Sequence, residues 1–370
     1  MKILQIAPLW ETVPPPAYGG TEAVVYDLVE ELVRQGHDIT LWASGDSRTS
    51  ARLQSCYPRS LRTAEGLECK SVYSWQHAVL SLKHAGEYDI IHNHAGEEIM
   101  ALSHLVPDKP MLTTMHCLVT PDTQFVWDRY EGQFNTISWS QRQTMPSVAG
   151  GTFRGVAYNG IDVSSFPFQS ETGDYLLFLS RICEEKGPHL AVEVARRAGK
   201  RLVMAGKVDH NDRDFFHRVV EPLVDGSQVV FMGEADGAMK RELYRSALCV
   251  LLPIIWEEPF GLVMTEAMAC GKPVIVFNRG AASEIVDHGE TGFLVENVDE
   301  MVRAVDEVRT IDPAYCRAQV KRRFDAPVMA RRYVEIYEEI LGVERTVTAP
   351  PAVSSGRTKE AESLSPSHAA

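Results

Sequence analysis

The chain has 370 residues, a length that favours two domains, each with its own core, over a single small binding module. Its formal net charge of −13 argues against non-specific binding of nucleic acid, which needs clustered Lys and Arg to neutralise phosphates. The seven cysteines are scattered and form no C-x-x-C pair, a pattern typical of free thiols in a reducing compartment and not of disulfides or structural zinc.

The N-terminus begins with a short apolar run, residues 1–7, which Pro8 interrupts. It lacks the long apolar region and the cleavage site of a signal peptide. No apolar stretch elsewhere reaches the roughly 18 residues that a membrane span requires. The basic run from Arg48 to Arg62 could form an interfacial helix, but Pro58 interrupts it, so we interpret it as solvated or acceptor-contacting. We therefore expect a cytoplasmic protein without stable membrane association.

Short apolar runs alternate with amphipathic stretches in the first half, the rhythm of parallel sheets covered by helices. A first strand is predicted at residues 2–7, and the Gly-rich turn at 18–21 opens a helix that ends at Gly36. Further strands are predicted at residues 39–43, 90–93, 111–115, 136–139 and 155–158. Residues 1–168 are thus predicted to form a Rossmann-like domain.

The polar residues 169–174 indicate a linker, after which the same rhythm begins again. A second Rossmann-like domain is predicted at 169–325, and a helix at 326–342 that we expect to pack back toward the first domain. Residues 343–370 are predicted to be a disordered tail, because they cannot bury enough apolar surface to offset the entropy of ordering. Strands of the second domain are predicted at residues 175–180, 201–205, 228–232, 249–253 and 273–277.

Two cations, Arg181 and Lys186, follow the predicted strand at 175–180 and lie five residues apart. The carboxyl ends of strands are where open α/β sheets bind ligands. A planar guanidinium and a mobile ammonium suit a diphosphate. The alternative is a solvated loop in which Glu184 and Glu185 pair with both cations.

Two glutamates, Glu258 and Glu266, follow the predicted strand at 249–253. Pro259 and Gly261 place Glu258 in a loop, whereas Glu266 lies in a short helix. Their spacing of eight residues is close to a whole number of turns, so both can face one cleft. Compensation of the helix dipole is the alternative role for Glu258. For Glu266, in an otherwise apolar helix, we expect a hydroxyl or cationic partner.

Small residues from Gly280 to Ser283 follow the predicted strand at 273–277. They would let a phosphate approach backbone N–H groups at a helix N-terminus. A tight strand-to-helix turn explains them equally well.

These features, together with Gly19 and Gly20, resemble the GT4 family of retaining glycosyltransferases with the GT-B fold. The resemblance extends to about residue 341 and is most specific in the E-x7-E stretch that starts at Glu258 and in the loop from Arg181 to Lys186. It implies an α/β fold of two Rossmann-like domains whose parallel sheets face each other across a deep cleft. The acceptor would bind on the N-terminal side and the nucleotide-sugar donor on the C-terminal side.

The resemblance also implies roles for individual residues. The diphosphate would be held by Arg181 and Lys186, hydroxyls of the sugar would face Glu258, and Glu266 would bind the ribose. The implied catalytic residues are Arg181, Lys186, Glu258 and His116, the last lying near the transferred sugar. The implied donor-binding residues are Gly19, Gly20, Arg181, Lys186, Glu258, Phe260, Gly261, Glu266, Gly280 and Ala281. The chain departs from the family pattern at Ala281 and Ala282, where a second Gly is often found.

The implied reaction moves a hexose from a UDP-, GDP- or ADP-sugar to a hydroxyl of a small molecule or glycan, by attack on the face that the diphosphate leaves. No metal or other cofactor is expected. Two alternatives are a sugar-nucleotide 2-epimerase of the same architecture and a non-catalytic nucleotide-binding protein. The E-x7-E stretch and the loop from Arg181 to Lys186 argue against the first. The presence of Arg181, Lys186, Glu258 and Glu266 together argues against the second.

Two further patterns suggest metal ligands. The D-x-D pattern at Asp212 and Asp214 stands at a helix start, where acids cap the helix and offset its dipole. His92 and His94 are expected to point to opposite faces of their strand, with no third ligand nearby. We expect neither pattern to bind a metal.

Overall fold

The computed structural model describes residues 1–146, 148 and 150–343. The first of its two sheets has seven parallel strands in the order β3-β2-β1-β4-β5-β6-β7. These strands are β1 (Lys2–Ile6), β2 (Asp38–Trp42), β3 (Arg52–Gln54), β4 (Ile90–Asn93), β5 (Met111–Thr114), β6 (Gln133–Thr136) and β7 (Thr152–Val156). The helices of this half are α1 (Gly20–Arg34), α2 (Lys70–Leu82), α3 (Glu97–Leu102), α4 (Pro121–Trp127) and α5 (Trp139–Thr144).

The second sheet has six parallel strands in the order β10-β9-β8-β11-β12-β13. These strands are β8 (Tyr175–Leu179), β9 (Arg201–Ala205), β10 (Val229–Phe231), β11 (Ala247–Leu252), β12 (Val274–Phe277) and β13 (Gly292–Val295). The remaining helices are α6 (Pro188–Arg197), α7 (Arg213–Phe215), α8 (Gly237–Ser246), α9 (Leu262–Ala269), α10 (Ala282–Ile285), α11 (Val298–Glu307), α12 (Pro313–Arg323) and α13 (Ala326–Leu341).

Single helical turns of other types complete the described structure. Turns of 3-10 helix lie at Ala85–Glu87, Ser103–Leu105, Val163–Ser165, Glu184–Lys186, His210–Asp212, Glu221–Leu223 and Val308–Thr310, and one π-helical turn lies at Phe216–Val220. Within the described ranges, no helix combines the length and the apolar character that crossing a bilayer requires. All seven cysteines are free.

The prediction of two parallel α/β domains is confirmed. Strands β8 and β11 are buried along their whole lengths, because helices cover both faces of a parallel sheet. The strand predicted at 136–139 instead occupies Gln133–Thr136, since Ser138 caps α5 by accepting a hydrogen bond from Gln141 N. The basic run between Arg48 and Arg62 contains the short edge strand β3.

The last helix, α13, packs on the N-terminal domain. Tyr333, Ile336 and Tyr337 are fully buried in the same apolar cluster as Ile3 and Leu28. The chain therefore crosses between the domains twice, and the domain boundaries placed after residues 168 and 325 stay predictions. The predicted tail at 343–370 lies outside the described residues, apart from its first position.

The C-terminal domain also caps a helix of the N-terminal one. The carboxylate of Glu284, on α10, accepts hydrogen bonds from the backbone N–H of Trp139 (2.8 Å) and of Ser140 (2.7 Å) at the start of α5. The hydroxyl of Tyr158 donates to the same carboxylate at 2.8 Å. A negative charge at a helix N-terminus is favourable, so this contact helps to hold the two domains together.

Arg317 on α12 fixes the connection between the domains. Its guanidinium donates to the carbonyl oxygens of Val163 (3.0 Å), Phe166 (2.9 Å) and Ala269. We expect Arg317→Ala to lower the free energy of unfolding by about 2 kcal/mol, because part-buried carbonyls lose charge-assisted bonds. Urea unfolding followed by circular dichroism measures this, with Lys321→Ala on an exposed position of the same helix as the control. Equal stabilities of the two variants would contradict the prediction.

Candidate active site

A cavity of about 450 Å³ lies between the two sheets. Its lining comes largely from the segments that follow the carboxyl ends of β1, β5, β8, β9 and β11. Parallel strands bring these ends to one edge of each sheet, which is where ligands of open α/β sheets bind. The cavity is therefore the candidate active site.

Most of the predicted site residues line this cavity. They are Gly19, Gly20, His116, Arg181, Lys186, Glu258, Phe260, Gly261 and Glu266. They come from both domains, so the cavity exists only where the domains meet. The structure thus brings together groups that lie far apart in the sequence.

Gly280 and Ala281 are the exceptions, because they do not line the cavity. The N–H of Gly280 donates to Glu257 Oε2 at 2.7 Å, and the N–H of Ala281 donates to the carbonyl oxygen of Glu258 at 2.8 Å. The backbone donors predicted to face the sugar and phosphates are thus already bonded within the protein. Gly280 has φ +57°, and a Cβ there would lie 2.3 Å from the backbone N and O of Glu258. This turn supports the Glu258 loop from behind.

Lys186 lies in a single 3-10 turn after β8 and pairs with Glu258. Its ammonium also lies 4.6 Å from the centroid of the Trp256 ring. The indole N–H of Trp256 donates to Glu258 Oε2 at 3.0 Å, so the glutamate is held by two partners. The solvated-loop alternative paired both cations with Glu184 and Glu185, but Lys186 contacts Glu258 instead.

Arg181 pairs with Glu185, as the solvated-loop alternative proposed. Its guanidinium also lies 3.5 Å from Asp212 Oδ2. Asp214, the other acid of the D-x-D pattern, points elsewhere and contacts Arg218 at 3.5 Å. In residues 1–146, 148 and 150–343, no group of three or more His, Cys, Asp or Glu side chains is arranged to hold a metal ion.

Glu266 has both kinds of partner that its position in an apolar helix requires. The side chain is 5% exposed. Lys240 Nζ donates to its Oε1 at 2.6 Å, and the Tyr244 hydroxyl donates to its Oε2 at 2.7 Å. Both partners lie on α8, which Asp236 caps by accepting from Met239 N. A buried carboxylate with a cation beside it is thus fixed at the wall of the cavity.

Phe260 and Gly261 shape the loop between the two glutamates. Phe260 is 2% exposed, and its ring centroid lies 6.3 Å from that of Tyr158 and 5.7 Å from that of Phe324. Gly261 caps α9 with φ +89°, a backbone conformation that favours glycine. Packing and backbone conformation together position Glu258.

The N-terminus of α1 meets the cavity through Gly19 and Gly20. This helix has 15 residues, and its aligned peptide dipoles place a partial positive charge at that end. Gly19 has φ +150°, and a Cβ there would lie 2.7 Å from Cβ of Pro15. The Pro-rich loop therefore packs too closely against this position for a larger residue.

Lys207 also lines the cavity and was not predicted. Its ammonium lies 2.7 Å from Asp209 Oδ1 and 5.4 Å from the centroid of the Tyr18 ring. The signal was present in the sequence, since Lys207 follows the end of β9 much as Arg181 follows the end of β8. Lys207 thus joins Arg181 and Lys186 among the cations that line the cavity.

The expectation that His92 and His94 face opposite ways was wrong. Their ring centroids are 3.8 Å apart, because residues two apart along an extended strand share one face. His116 continues the cluster, with its ring stacked 5.2 Å from that of His94. Burial lowers the pKa of His116 to about 4 and those of His92 and His94 well below the ordinary value. All three imidazoles are therefore neutral at pH 7.

Glu22, in the first turn of α1, is buried, and burial raises the pKa of its carboxyl from 4.5 to about 7. The folded state thus keeps this proton up to a higher pH than the unfolded chain does. The stability that this pKa difference contributes to the fold is fully present below pH 4.5 and is lost as the pH rises through about 7. We expect Glu22→Gln to raise the free energy of unfolding, relative to the wild type, by about 2 kcal/mol more at pH 8 than at pH 5. Urea unfolding at both pH values tests this, with the exposed Glu65→Gln as control. A difference that does not change with pH would contradict it.

Comparison with known proteins identifies the family. The family model described as "Glycosyltransferase Family 4" matches residues 18–149, and the model described as "Glycosyl transferases group 1" matches residues 163–321. A glycosyltransferase of Methanocaldococcus jannaschii, described as uncharacterised, is 27% identical over 83% of this chain and 89% of its own length. The glycogen synthase of Mycobacterium tuberculosis is 28% identical over 91% of this chain and 94% of its own.

The fold has close parallels among solved structures. The Anabaena protein HepE, solved in complex with UDP-glucose, superposes with a TM-score of 0.70 over 92% of this chain and 100% of its own, at 17% identity. This similarity shows the fold. The family itself is shown by the two family models, one of which matches the N-terminal part of the chain and the other the C-terminal part. The chain is therefore a glycosyltransferase that belongs to family 4 and has the GT-B fold.

Proposed function

We propose that this glycosyltransferase moves a sugar from a UDP-, GDP- or ADP-sugar to a hydroxyl group of a small molecule or glycan, with retention of anomeric configuration. The proposal is carried by one observation. Two cations, Arg181 and Lys186, share a cavity with the N-terminus of α1 and with two carboxylates, Glu258 and Glu266. Cations and a helix N-terminus suit a diphosphate, and carboxylates suit the hydroxyls of sugar and ribose.

The ion pairs of Arg181 and Lys186 support a diphosphate bound beside these two cations. Lys186 contacts the carboxylate of Glu258. Arg181 contacts the carboxylates of Glu185 and Asp212. A diphosphate entering beside them offers a stronger anion, so Lys186 can move to it and free Glu258 for the sugar hydroxyls. Glu266 keeps its Lys240 contact and accepts a further bond from the ribose.

The proposed chemistry needs no covalent bond to the protein. The oxygen of the acceptor hydroxyl attacks the anomeric carbon from the face that the diphosphate leaves. The bond between that carbon and the phosphate oxygen breaks, and the acceptor proton passes to the departing phosphate. Arg181, Lys186 and the α1 N-terminus stabilise the charge that develops on the phosphate. His116 lies on the N-terminal side, where we place the acceptor and the transferred sugar.

We further propose that the reaction requires no metal and takes place in the cytoplasm. Three cations that line the cavity, Arg181, Lys186 and Lys207, can neutralise a diphosphate. Activity that survives EDTA would support this, and activity restored only by a divalent ion would contradict it. The cytoplasmic assignment rests on seven unpaired cysteines, which a reducing compartment preserves.

A thermal-shift panel of UDP-, GDP- and ADP-sugars tests the donor class, since a ligand that binds the folded state raises the melting temperature. The sugar nucleotide that stabilises the protein is then incubated with and without hydroxyl acceptors. Proton NMR of the product gives its anomeric configuration. An isomeric sugar nucleotide formed without acceptor would identify an epimerase, and stabilisation by none of the panel would overturn the proposal.

A further inference from the structure

His94 lies between Gln5 and His116 at the carboxyl edge of the N-terminal sheet. Its Nε2 is 2.9 Å from Gln5 Oε1, and its Nδ1 is 2.9 Å from His116 Nε2. Gln5 is on β1, His94 follows β4 and His116 follows β5, and these three strands are neighbours. The three side chains therefore form one row of hydrogen bonds that ends at the cavity.

The position of each proton in this row follows from Gln5. The amide nitrogen of Gln5 donates to the hydroxyl of Tyr337 at 3.0 Å, so the amide oxygen faces His94. An oxygen of this kind only accepts, hence His94 carries its proton on Nε2. A neutral imidazole has one N–H, so His94 Nδ1 is unprotonated and accepts a hydrogen bond from the N–H at His116 Nε2. His116 is thereby left with a bare Nδ1.

A second branch fixes the orientation of Gln5. The hydroxyl of Tyr337, having accepted from Gln5, donates to His92 Nδ1 at 2.6 Å. His92 Nε2 then donates to the hydroxyl of Thr114 at 2.8 Å, and that hydroxyl donates to Asn135 Oδ1 at 2.5 Å. The amide nitrogen of Asn135 donates to the carbonyl oxygen of Thr136 at 3.2 Å, so Oδ1 is the end that accepts from Thr114. Turning the Gln5 amide over would reverse the bonds of this branch and set two acceptors, the Thr114 oxygen and Asn135 Oδ1, against each other.

The end of the row at His116 is unsatisfied. His116 Nδ1 is buried, and no group in the described part of the chain forms a hydrogen bond with it. The residue lines the cavity, so a bound molecule can reach its neighbourhood. A buried acceptor without a partner costs free energy, which a hydroxyl group of the ligand would recover. Burial lowers the pKa of this imidazole to about 4, so its lone pair stays available at neutral pH.

We propose that Gln5 and His94 are positioning residues that hold His116 in the tautomer with its proton on Nε2, so that Nδ1 accepts a hydrogen bond from a substrate hydroxyl. The ligand part of this proposal rests on the proposed function, because a sugar supplies such hydroxyls. Tyr337 extends the row to α13, so the last helix of the chain takes part in orienting a group at the cavity.

Nitrogen-15 NMR of histidine-labelled protein measures the tautomer directly. We expect the His116 signals, assigned by their loss in His116→Asn, to show a protonated Nε2 and an unprotonated Nδ1 in the free protein. Protonation at Nδ1 would overturn the proposal. This measurement needs no donor, so it stands even if no nucleotide sugar binds, an outcome that would overturn only the proposed function.

Two variants of one residue separate positioning from folding. Gln5→Leu removes the acceptor for His94, so we expect a mixed His116 tautomer. We also expect a kcat about tenfold lower, which corresponds to the loss of one hydrogen bond, and a smaller change in the KM of the donor. Gln5→Glu still offers an oxygen to His94, so we expect it to restore the wild-type tautomer and most of the rate. If Gln5→Leu does not fold, the His116 tautomer measured in the wild type and in Gln5→Glu decides the question, and a proton on Nδ1 in either would refute the positioning role. A wild-type tautomer and rate in a folded Gln5→Leu would refute the positioning role.

Discussion

Replacing Lys186 or Arg181 by alanine is expected to lower the turnover of sugar transfer about 100- to 1,000-fold, the cost of removing one preorganised donor to a developing oxyanion. Both side chains reach the cavity, where they would meet the charge that builds on the departing phosphate. The rate of sugar transfer at saturating donor measures the effect. In the free protein, Lys186→Ala also removes the cationic partner of Glu258.

The control for both variants is Lys321→Ala, which removes an exposed cation from α12 outside the cavity. Far-UV circular dichroism and a melting curve show whether each variant keeps its fold. Transfer at the wild-type rate by both Arg181→Ala and Lys186→Ala would exclude the diphosphate role. A fold lost in both would leave Lys186→Arg, which keeps the charge, to show whether position matters beyond charge.

The fold could be predicted from the sequence wherever strands are long and buried on both faces. The continuous apolar runs of β8 and β11 admit one interpretation, because a parallel sheet covered by helices exposes neither face. The short strands β3 (Arg52–Gln54) and β13 (Gly292–Val295) were missed. Both are edge strands, and each pairs with a single neighbour, β3 with β2 and β13 with β12.

The site could be predicted where a loop follows a strand and carries unusual charge. This logic found Arg181, Lys186 and Glu258, which the structure brings to one cavity. It did not find the row from Gln5 to His116, because that row depends on the register between β1, β4 and β5. Parallel strands are joined by long crossover connections, so no local spacing in the sequence gives the register between them.

The predicted role of Gly280 shows the same limit in another form. Small residues after a strand are compatible with phosphate binding and with close backbone packing, and only the structure separates the two. Here the N–H groups of Gly280 and Ala281 bond to Glu257 and Glu258. The glycine matters because the backbone of the Glu258 loop passes directly over it.

This geometry makes Gly280→Ala a severe change. An added Cβ would lie 2.3 Å from the backbone N and O of Glu258, and the residue has φ +57°, where side chains are strained. A left-handed conformation alone costs about 1–2 kcal/mol of stability. The clash must then displace the Glu258 loop, and a displacement of about 1 Å at a catalytic group lowers the rate about 100-fold. Urea unfolding and the sugar-transfer rate measure the two effects separately.

The matched control is Gly226→Ala, which separates backbone strain from displacement. Gly226 has φ +73°, but a Cβ there meets nothing within 4 Å. It should lose about 1–2 kcal/mol of stability, as Gly280→Ala does from strain alone, and keep its transfer rate. Full activity in Gly280→Ala would mean that the loop can move without consequence, and Glu258 would then have no fixed role at the sugar. A loss of rate confined to Gly280→Ala would tie catalysis to the position of Glu258, because the two variants differ only in what the new methyl group meets.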